Sequence, residues 1–303
     1  MNDHVPNPPL AASETKHLSL LHHSIPGTSI VLSLKQLSST STSSSSSSNS
    51  NSNSKSNGTS TGTTGTTLWL SSQLLALYFS SLPPPPPPRH DSRRKHTVLD
   101  LGSGIGYLPL CLAERGYQVI STDIPAVIES VLSHNISTGL ATINEHSHSH
   151  SHSAYSDGSG SIPDVQVMTL DWETVAETGQ LPEPLLGIRV DTLITSDTIY
   201  APHLVFPLFE TLRIISSTTP GNAPTIYISL ERRDSALVDQ ALGRAAEMGL
   251  IMRRVDKGKI DKLMLEAGWN LEDWDDVEIW KGKFTKSSLS LSLSLSLSNR
   301  AVK

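Results

Sequence analysis

The residue types that could do chemistry fall in a few short stretches. Asp100 to Gly106 reads DLGSGIG, and Gly102, Gly104 and Gly106 make a turn in which backbone can approach a ligand with no Cβ in the way. Asp123 follows about 20 residues later, the place where an acid meets the two ribose hydroxyls of a nucleotide-type ligand. Further on, Asp171 and Trp172 pair an acid with an indole, and Ser196, Asp197 and Tyr200 bring together a hydroxyl, a carboxylate and a phenol. Such groups beside a nucleotide-type site can align an incoming nucleophile for transfer.

The glycine spacing separates two ligand classes. Dinucleotide enzymes use GxGxxG, whereas here the third glycine comes one residue early, Tyr107 stands where that pattern wants a small residue, and Asp100 precedes the turn. This favours S-adenosylmethionine as cofactor. Taken alone, the glycines also fit a tight strand-to-helix turn with no ligand.

Alternating strands and helices must position these residues. Thr97 to Leu101 is a short apolar run, Tyr107 to about Arg115 is a helix ended by Gly116, and Gln118 to Thr122 is a second strand closed by Asp123. Pro125 suits the first turn of a helix whose apolar face, Val127, Ile128, Val131 and Leu132, extends to about Gly139, with Asn135 near its end. Five more strands read at Val165 to Leu170, Val190 to Thr195, Thr225 to Leu230, Leu250 to Val255 and Val277 to Trp280. Helices read at Leu204 to Ile215 and about Ser235 to Met248. The pattern predicts an α/β fold, a seven-stranded sheet of Rossmann-like type with helices on both faces. Upstream, Leu70, Leu74, Leu77 and Tyr78 give an apolar stripe to a helix that Trp69 opens. In an N-terminal extension over 1–37, Leu18 to Leu21 and Ile30 to Leu37 flank Pro26 and Gly27 and fit a hairpin.

Other stretches bury too little apolar surface to join a core. These are a Ser/Thr/Asn-rich insertion over 38–64, a proline run over 83–88, a His/Ser-rich insertion over 145–161 and a tail over 285–303 with its LSLSLSLS repeat. The folded domain is therefore expected over 65–284, and roughly 200 folded residues suit one α/β domain. The proline run fits a polyproline II ligand or a solvated spacer. The HSHSHSH tract could hold zinc weakly, but no cysteine or placed carboxylate completes a site, so no metal is expected. A net charge of -6 offers no general attraction to nucleic acid or anionic membrane. The single cysteine, Cys111, suits a reducing compartment and a place in the core. With no signal-type leader and no run of about 18 apolar residues, a cytoplasmic monomer is expected.

Four stretches carry a family resemblance: GTTLW at Gly65 to Trp69, DLGSGIG with TDIP at Asp100 to Pro125, LDW at Leu170 to Trp172, and SDTIY at Ser196 to Tyr200. The chain resembles the seven-β-strand S-adenosylmethionine methyltransferases and, within them, methyltransferase family 16, whose characterised members are largely protein-lysine methyltransferases. The Asp-x-x-Tyr of Asp197 to Tyr200 is the feature that singles out this lysine-modifying group. The resemblance implies strand order 3-2-1-4-5-7-6, with ligands bound where the order reverses. Glu173 departs from it, standing where relatives often have glycine.

By this resemblance Gly102, Gly104 and Gly106 line the methionine and ribose portions of the cofactor, with Asp100 and Ser196 beside them and Asp123 on the ribose. Asp171 and Trp172 lie at the adenine, and Trp69 on the cofactor side. The bland readings are a helix N-cap beside a core tryptophan for the pair and a core role for Trp69. Asp197 and Tyr200 are the expected catalytic residues, against an N-cap and a surface tyrosine. A free lysine of pKa about 10.4 is neutral in roughly one molecule in 2,500 at pH 7, so the site must present it deprotonated as well as aligned. Asp197 would orient the ammonium and Tyr200 would line its channel. The implied partner is a protein with a lysine acceptor, such as a translation elongation factor or a chaperone. A small-molecule or nucleic-acid methyltransferase, or a non-catalytic binder of the cofactor, are the other readings. An Asn-Pro-Pro-Tyr motif in place of SDTIY would have favoured base or glutamine amino groups, and intact acids argue against a dead site.

Overall fold

The computed structural model describes residues 9–37, 64–85, 94–150, 163–274 and 276–289. Residues 38–63 of the first insertion, 86–88 of the proline run, 151–161 of the histidine insertion and the LSLSLSLS repeat after Leu289 lie outside these residues.

In chain order the elements are α1 (Ala12–Thr15), β1 (Leu20–Ser24), β2 (Val31–Lys35), α2 (Leu70–Ser81), β3 (Thr97–Leu101), α3 (Tyr107–Glu114), β4 (Gln118–Asp123) and α4 (Pro125–Val127). A π-turn at Ile128–Leu132 leads into α5 (Ser133–His150), followed by β5 (Asp164–Thr169), α6 (Trp172–Thr178), β6 (Thr192–Ser196), α7 (Pro202–Thr218) and β7 (Thr225–Glu231). The remainder is α8 (Ser235–Glu247), β8 (Leu250–Arg254), α9 (Lys257–Glu266) and β9 (Val277–Phe284). Strands β3 to β9 form one sheet in the order β5-β4-β3-β6-β7-β9-β8, which is 3-2-1-4-5-7-6 when its strands are counted alone. Only β9 runs against its neighbours, β7 and β8. The reversal of strand order falls between β3 and β6, whose carboxyl ends open on one edge.

Every residue of β3 is buried because both faces are covered. On one face Val98 packs with α2, α3, α5, α9 and the β1–β2 hairpin, while Leu99 and Leu101 on the other pack with α6, α7 and α8. The sequence predicts one apolar stripe on α2, yet Ser71 and the run from Gln73 to Phe79 are all buried. The N-terminal segment supplies the extra cover, since Gln73 both accepts from the Leu10 N–H (2.9 Å) and donates to the Leu10 carbonyl (2.8 Å).

Gly139 does not end its helix as its sequence position suggests, and α5 runs on to His150, inside the stretch expected as an insertion. A Cβ at Gly139 would lie 2.4 Å from Leu110 Cδ1, so the glycine lets α5 approach α3 closely. Asn135 is fully buried in α5, accepting from the Lys35 N–H (2.8 Å) and donating to the carbonyls of Lys35 and Ile105 (both 2.9 Å). One side chain thus ties the hairpin to the glycine turn. Two further departures are the four extra residues of β9 and the helix α9, whose charged sequence hides a buried Ile260 and Met264.

Candidate active site

Parallel strands with a crossover between them bring β3, β4 and β6 to a common edge. The turn after β3 is stapled to β4, because Gly102 N and Ser103 N both donate to the Thr122 carbonyl (2.9 Å each) and Thr122 N donates back to Ser103 Oγ (3.1 Å). Gly102, Gly104 and Gly106 all have left-handed backbone, with φ of 72°, 56° and 84°. At Gly104 a Cβ would sit 3.1 Å from the Gly65 carbonyl oxygen, so the turn closes against the stretch before α2.

Between these elements lies a cavity of about 340 Å3, within the range of small-molecule sites. Of the residues expected from sequence, Trp69, Gly102, Gly104, Asp123, Asp171, Trp172, Ser196, Asp197 and Tyr200 all line it. Asp100 and Gly106 do not. Gly106 faces away, where a Cβ would meet Leu132 Cδ1 and Ile136 Cδ1 at 2.9 Å, so its smallness serves helix packing. Asp100 lies behind the turn, 1% exposed, and neither carboxylate oxygen meets a hydrogen-bond donor at bonding geometry.

Burial pushes Asp100 up to about 7, the Ser103 hydroxyl pulling it back and Asp123 adding to the rise. Asp123 accepts from Gly104 N (2.9 Å) and Ile124 N (2.8 Å), and burial outweighs both bonds to push it up to about 6. A folded-state pKa above the unfolded value means that ionising the acid costs stability. That cost is absent below about pH 4 and complete once pH passes the folded pKa. Folding stability is therefore expected to fall as pH rises from about 4 to about 7, and Asp100→Asn should remove on the order of 1–4 kcal/mol of that fall. Thermal unfolding of both proteins across this range, without cofactor, checks it, and equal slopes would show that Asp100 does not titrate there. His23, lowered by burial to about 4, loses its stabilisation as pH falls from 6.5 through 4. The comparison of variants cancels that opposite trend.

Asp171 caps α6, accepting from Glu173 N (3.0 Å), Thr174 N (3.5 Å) and Thr174 Oγ1 (3.1 Å), so the N-cap reading holds while the residue still faces the cavity. The adjoining Trp172 ring passes close under Gly102, where a Cβ would lie 3.0 Å from its Cζ2. Its indole Nε1 is buried without a partner.

Asp197 follows β6 at φ 58°, among the described residues the one non-glycine in the left-handed region. Its N–H donates to the Ser229 carbonyl (2.9 Å), which fixes it to β7. The carboxylate meets the Arg233 guanidinium, whose carbon lies 4.4 Å from the centre of the Trp69 ring. Burial holds the Asp197 pKa above the ordinary carboxylate value, with Arg233 pulling the other way. Sequence reasoning missed Arg233, which also lines the cavity. Its place just past the carboxyl end of the strand beside β6 is the signal that could have found it. Tyr200 is half exposed at the cavity, its phenol raised first by burial, with a Thr64 hydrogen bond opposing and Asp123, Asp197 and Glu173 adding to the rise.

Left-handed glycines that clear the cavity floor, the partly buried Asp123 beside them and the Trp172 ring on the wall fit an adenosyl ligand in this space. No helix among the described residues is long and apolar enough to cross a membrane, and no group of three or more His, Cys, Asp or Glu side chains there could hold a metal.

Comparison with known proteins gives a family match over residues 51–240 to a model described as lysine methyltransferase, methyltransferase family 16. No curated protein matches the chain by sequence. Similar solved structures include a TehB-like S-adenosylmethionine-dependent methyltransferase from Corynebacterium glutamicum, 13% identical, covering 71% of this chain and 86% of that one at a TM-score of 0.36. Magnesium protoporphyrin IX methyltransferase from Synechocystis PCC 6803, with bound S-adenosylmethionine, is 15% identical over 71% of this chain and 77% of its own at a TM-score of 0.34. An O-methyltransferase family protein from Burkholderia thailandensis is 13% identical over 63% of this chain, which spans 52% of its length, at a TM-score of 0.38. With the family match spanning the glycine turn, Asp123, Trp172 and the Asp197 to Tyr200 stretch, the chain belongs to the S-adenosylmethionine-dependent methyltransferases of family 16.

Proposed function

We propose that this chain is a protein-lysine N-methyltransferase that modifies a folded partner protein. The observation that carries the reading is the cavity's mixed lining: the glycine turn and Asp123 share one cavity with Asp197, Tyr200 and Glu173. Its lining among the described residues carries Asp123, Asp171, Glu173 and Asp197 against one cation, Arg233, and this balance suits a cationic acceptor. S-adenosylmethionine, when bound, supplies an electrophilic methyl group on a positive sulfonium.

The roles are those that the family resemblance implies, taken by residues that line the cavity. Gly102 and Gly104 leave room at the backbone for the methionine and ribose portions, Asp123 accepts hydrogen bonds from the ribose hydroxyls, and Trp172 packs on the adenine with Asp171 at its edge. Asp197 orients the incoming ammonium through a charge-assisted hydrogen bond, and the Tyr200 ring lines its path. The amine loses its proton to solvent before transfer, because only the neutral nitrogen has a free lone pair. Asp100 and Gly106 support the turn from behind and do not contact the ligand.

The test is incubation with methyl-labelled S-adenosylmethionine and a cell lysate, followed by mapping of the labelled residue. Label on a lysine of one protein, such as a translation elongation factor or a chaperone, is the expected result. Label on arginine, glutamine, a small molecule or nucleic acid would overturn the lysine assignment.

A further inference from the structure

The Asp197 carboxylate is already in use. Its side chain is 6% exposed and ion-paired to Arg233, which is itself 42% exposed. Arg233 also meets Glu231 (3.5 Å from Nε to Oε2) and lies over Trp69, whose ring is fixed by its own Nε1 donating to the Thr64 carbonyl (2.7 Å). An aromatic face with two carboxylates beside it is a receptor for a cation, and a guanidinium now fills it. The acceptor ammonium would need the same carboxylate.

We propose that Arg233 is a built-in occupant of the acceptor's cation site, displaced when the substrate amine enters, and so a residue that sets acceptor specificity. The inference rests on the lysine reading of this cavity. Three features make displacement workable. Arg233 is half exposed, so its guanidinium can leave the buried carboxylate for solvent without first being desolvated. It sits on the short connection between β7 and α8, outside any helix or strand, where a side chain can turn towards solvent. Its departure leaves a buried carboxylate unpaired, which favours entry of another cation and disfavours a neutral or anionic side chain. A cation able to form an ion pair and to lie on the indole takes the place of Arg233 at little net cost.

The probe is n-butylammonium chloride, with n-butanol as the neutral control, titrated into the full chain saturated with S-adenosylhomocysteine. The guanidinium Nε–H signal of Arg233, identified by its loss in Arg233→Lys, is followed by NMR. Butylammonium should shift that signal and butanol should not. Arg233→Gln, which removes the competing charge, should bind butylammonium roughly 5- to 30-fold more tightly than the wild type, the scale of a partly exposed ion pair with a cation–π contact. Arg233→Lys, which keeps a cation in place, should stay near wild type.

With the acceptor from the labelling experiment, Arg233→Gln should lower KM by a similar factor without a matching rise in kcat. Thermal unfolding and S-adenosylhomocysteine affinity of each variant show that the fold is intact. An unmoved Arg233 signal, or a Gln variant that binds butylammonium no better than wild type, would overturn the proposal and make Arg233 a fixed partner of Asp197. If butylammonium displaces Arg233 while the labelled acceptor proves not to be lysine, the cation site stands and the lysine reading fails.

Discussion

Asp197→Ala is expected to lower methyl transfer by roughly 100- to 1,000-fold, the scale of losing one preorganised polar contact to a reacting group, while S-adenosylhomocysteine binds as in the wild type. The separation follows from position. Asp197 projects from the turn after β6 towards Arg233 and Trp69, whereas Asp123, at the end of β4, faces the glycine turn. The left-handed backbone at Asp197 complicates alanine, which tolerates φ 58° poorly and would add roughly 1 kcal/mol of strain. Asparagine tolerates that conformation best among the alternatives and has almost the same shape. Asp197→Asn therefore isolates the charge, and it should lose transfer nearly as fully as alanine while unfolding at close to the wild-type temperature. Single-turnover assays with the labelled acceptor, beside calorimetry with S-adenosylhomocysteine, measure both quantities. An Asn variant that retains wild-type rate would show that the carboxylate does not orient the amine.

Much of this site is legible in the sequence because its parts are local in sequence and forced by backbone geometry. Left-handed turns at Gly102 and Gly104 demand glycine, and the sheet edge follows from where each apolar run stops, at Leu101, Thr122 and Thr195. Residues whose role depends on distant partners are not legible in this way. Arg233 meets Asp197 across 36 positions, and its one signal, a place just past the end of β7, is shared by the neighbouring Arg232, which pairs instead with Asp239 and Glu278. Asn135 looks like a helix end, yet 100 residues separate it from the Lys35 backbone that it binds. Asp100 and Gly106 are the converse case, motif residues that do not line the cavity. They belong to the recognisable motif, but the register of β3 turns the acid into the core, paired across to Ser121 and Ile194, and the turn points the last glycine at α5.

Asp123→Ala is expected to weaken cofactor binding by about 1.5–3 kcal/mol, the range for hydrogen bonds to a charged group, or roughly 10- to 150-fold in Kd. Its two oxygens each accept one backbone N–H, from Gly104 and Ile124, so the carboxylate is held in place with further lone pairs open towards the cavity. Ribose hydroxyls bind best to the ionised form, and burial has pushed this acid up to about 6. Affinity of the wild type for S-adenosylhomocysteine should therefore rise with pH through about 6 and level off above it, with protons released on binding near the midpoint. Asp123→Asn, which cannot titrate, should lose most of that pH dependence together with part of the affinity. Calorimetry in two buffers of different ionisation enthalpy, at pH 6 and pH 8, reads the proton count directly. Asp100, lifted higher and nearby, would shift the release towards pH 7 if it also ionised on binding, so the Asp100→Asn protein serves as the control. Unchanged affinity in Asp123→Ala would remove this acid from the ribose and place the nucleoside elsewhere in the cavity.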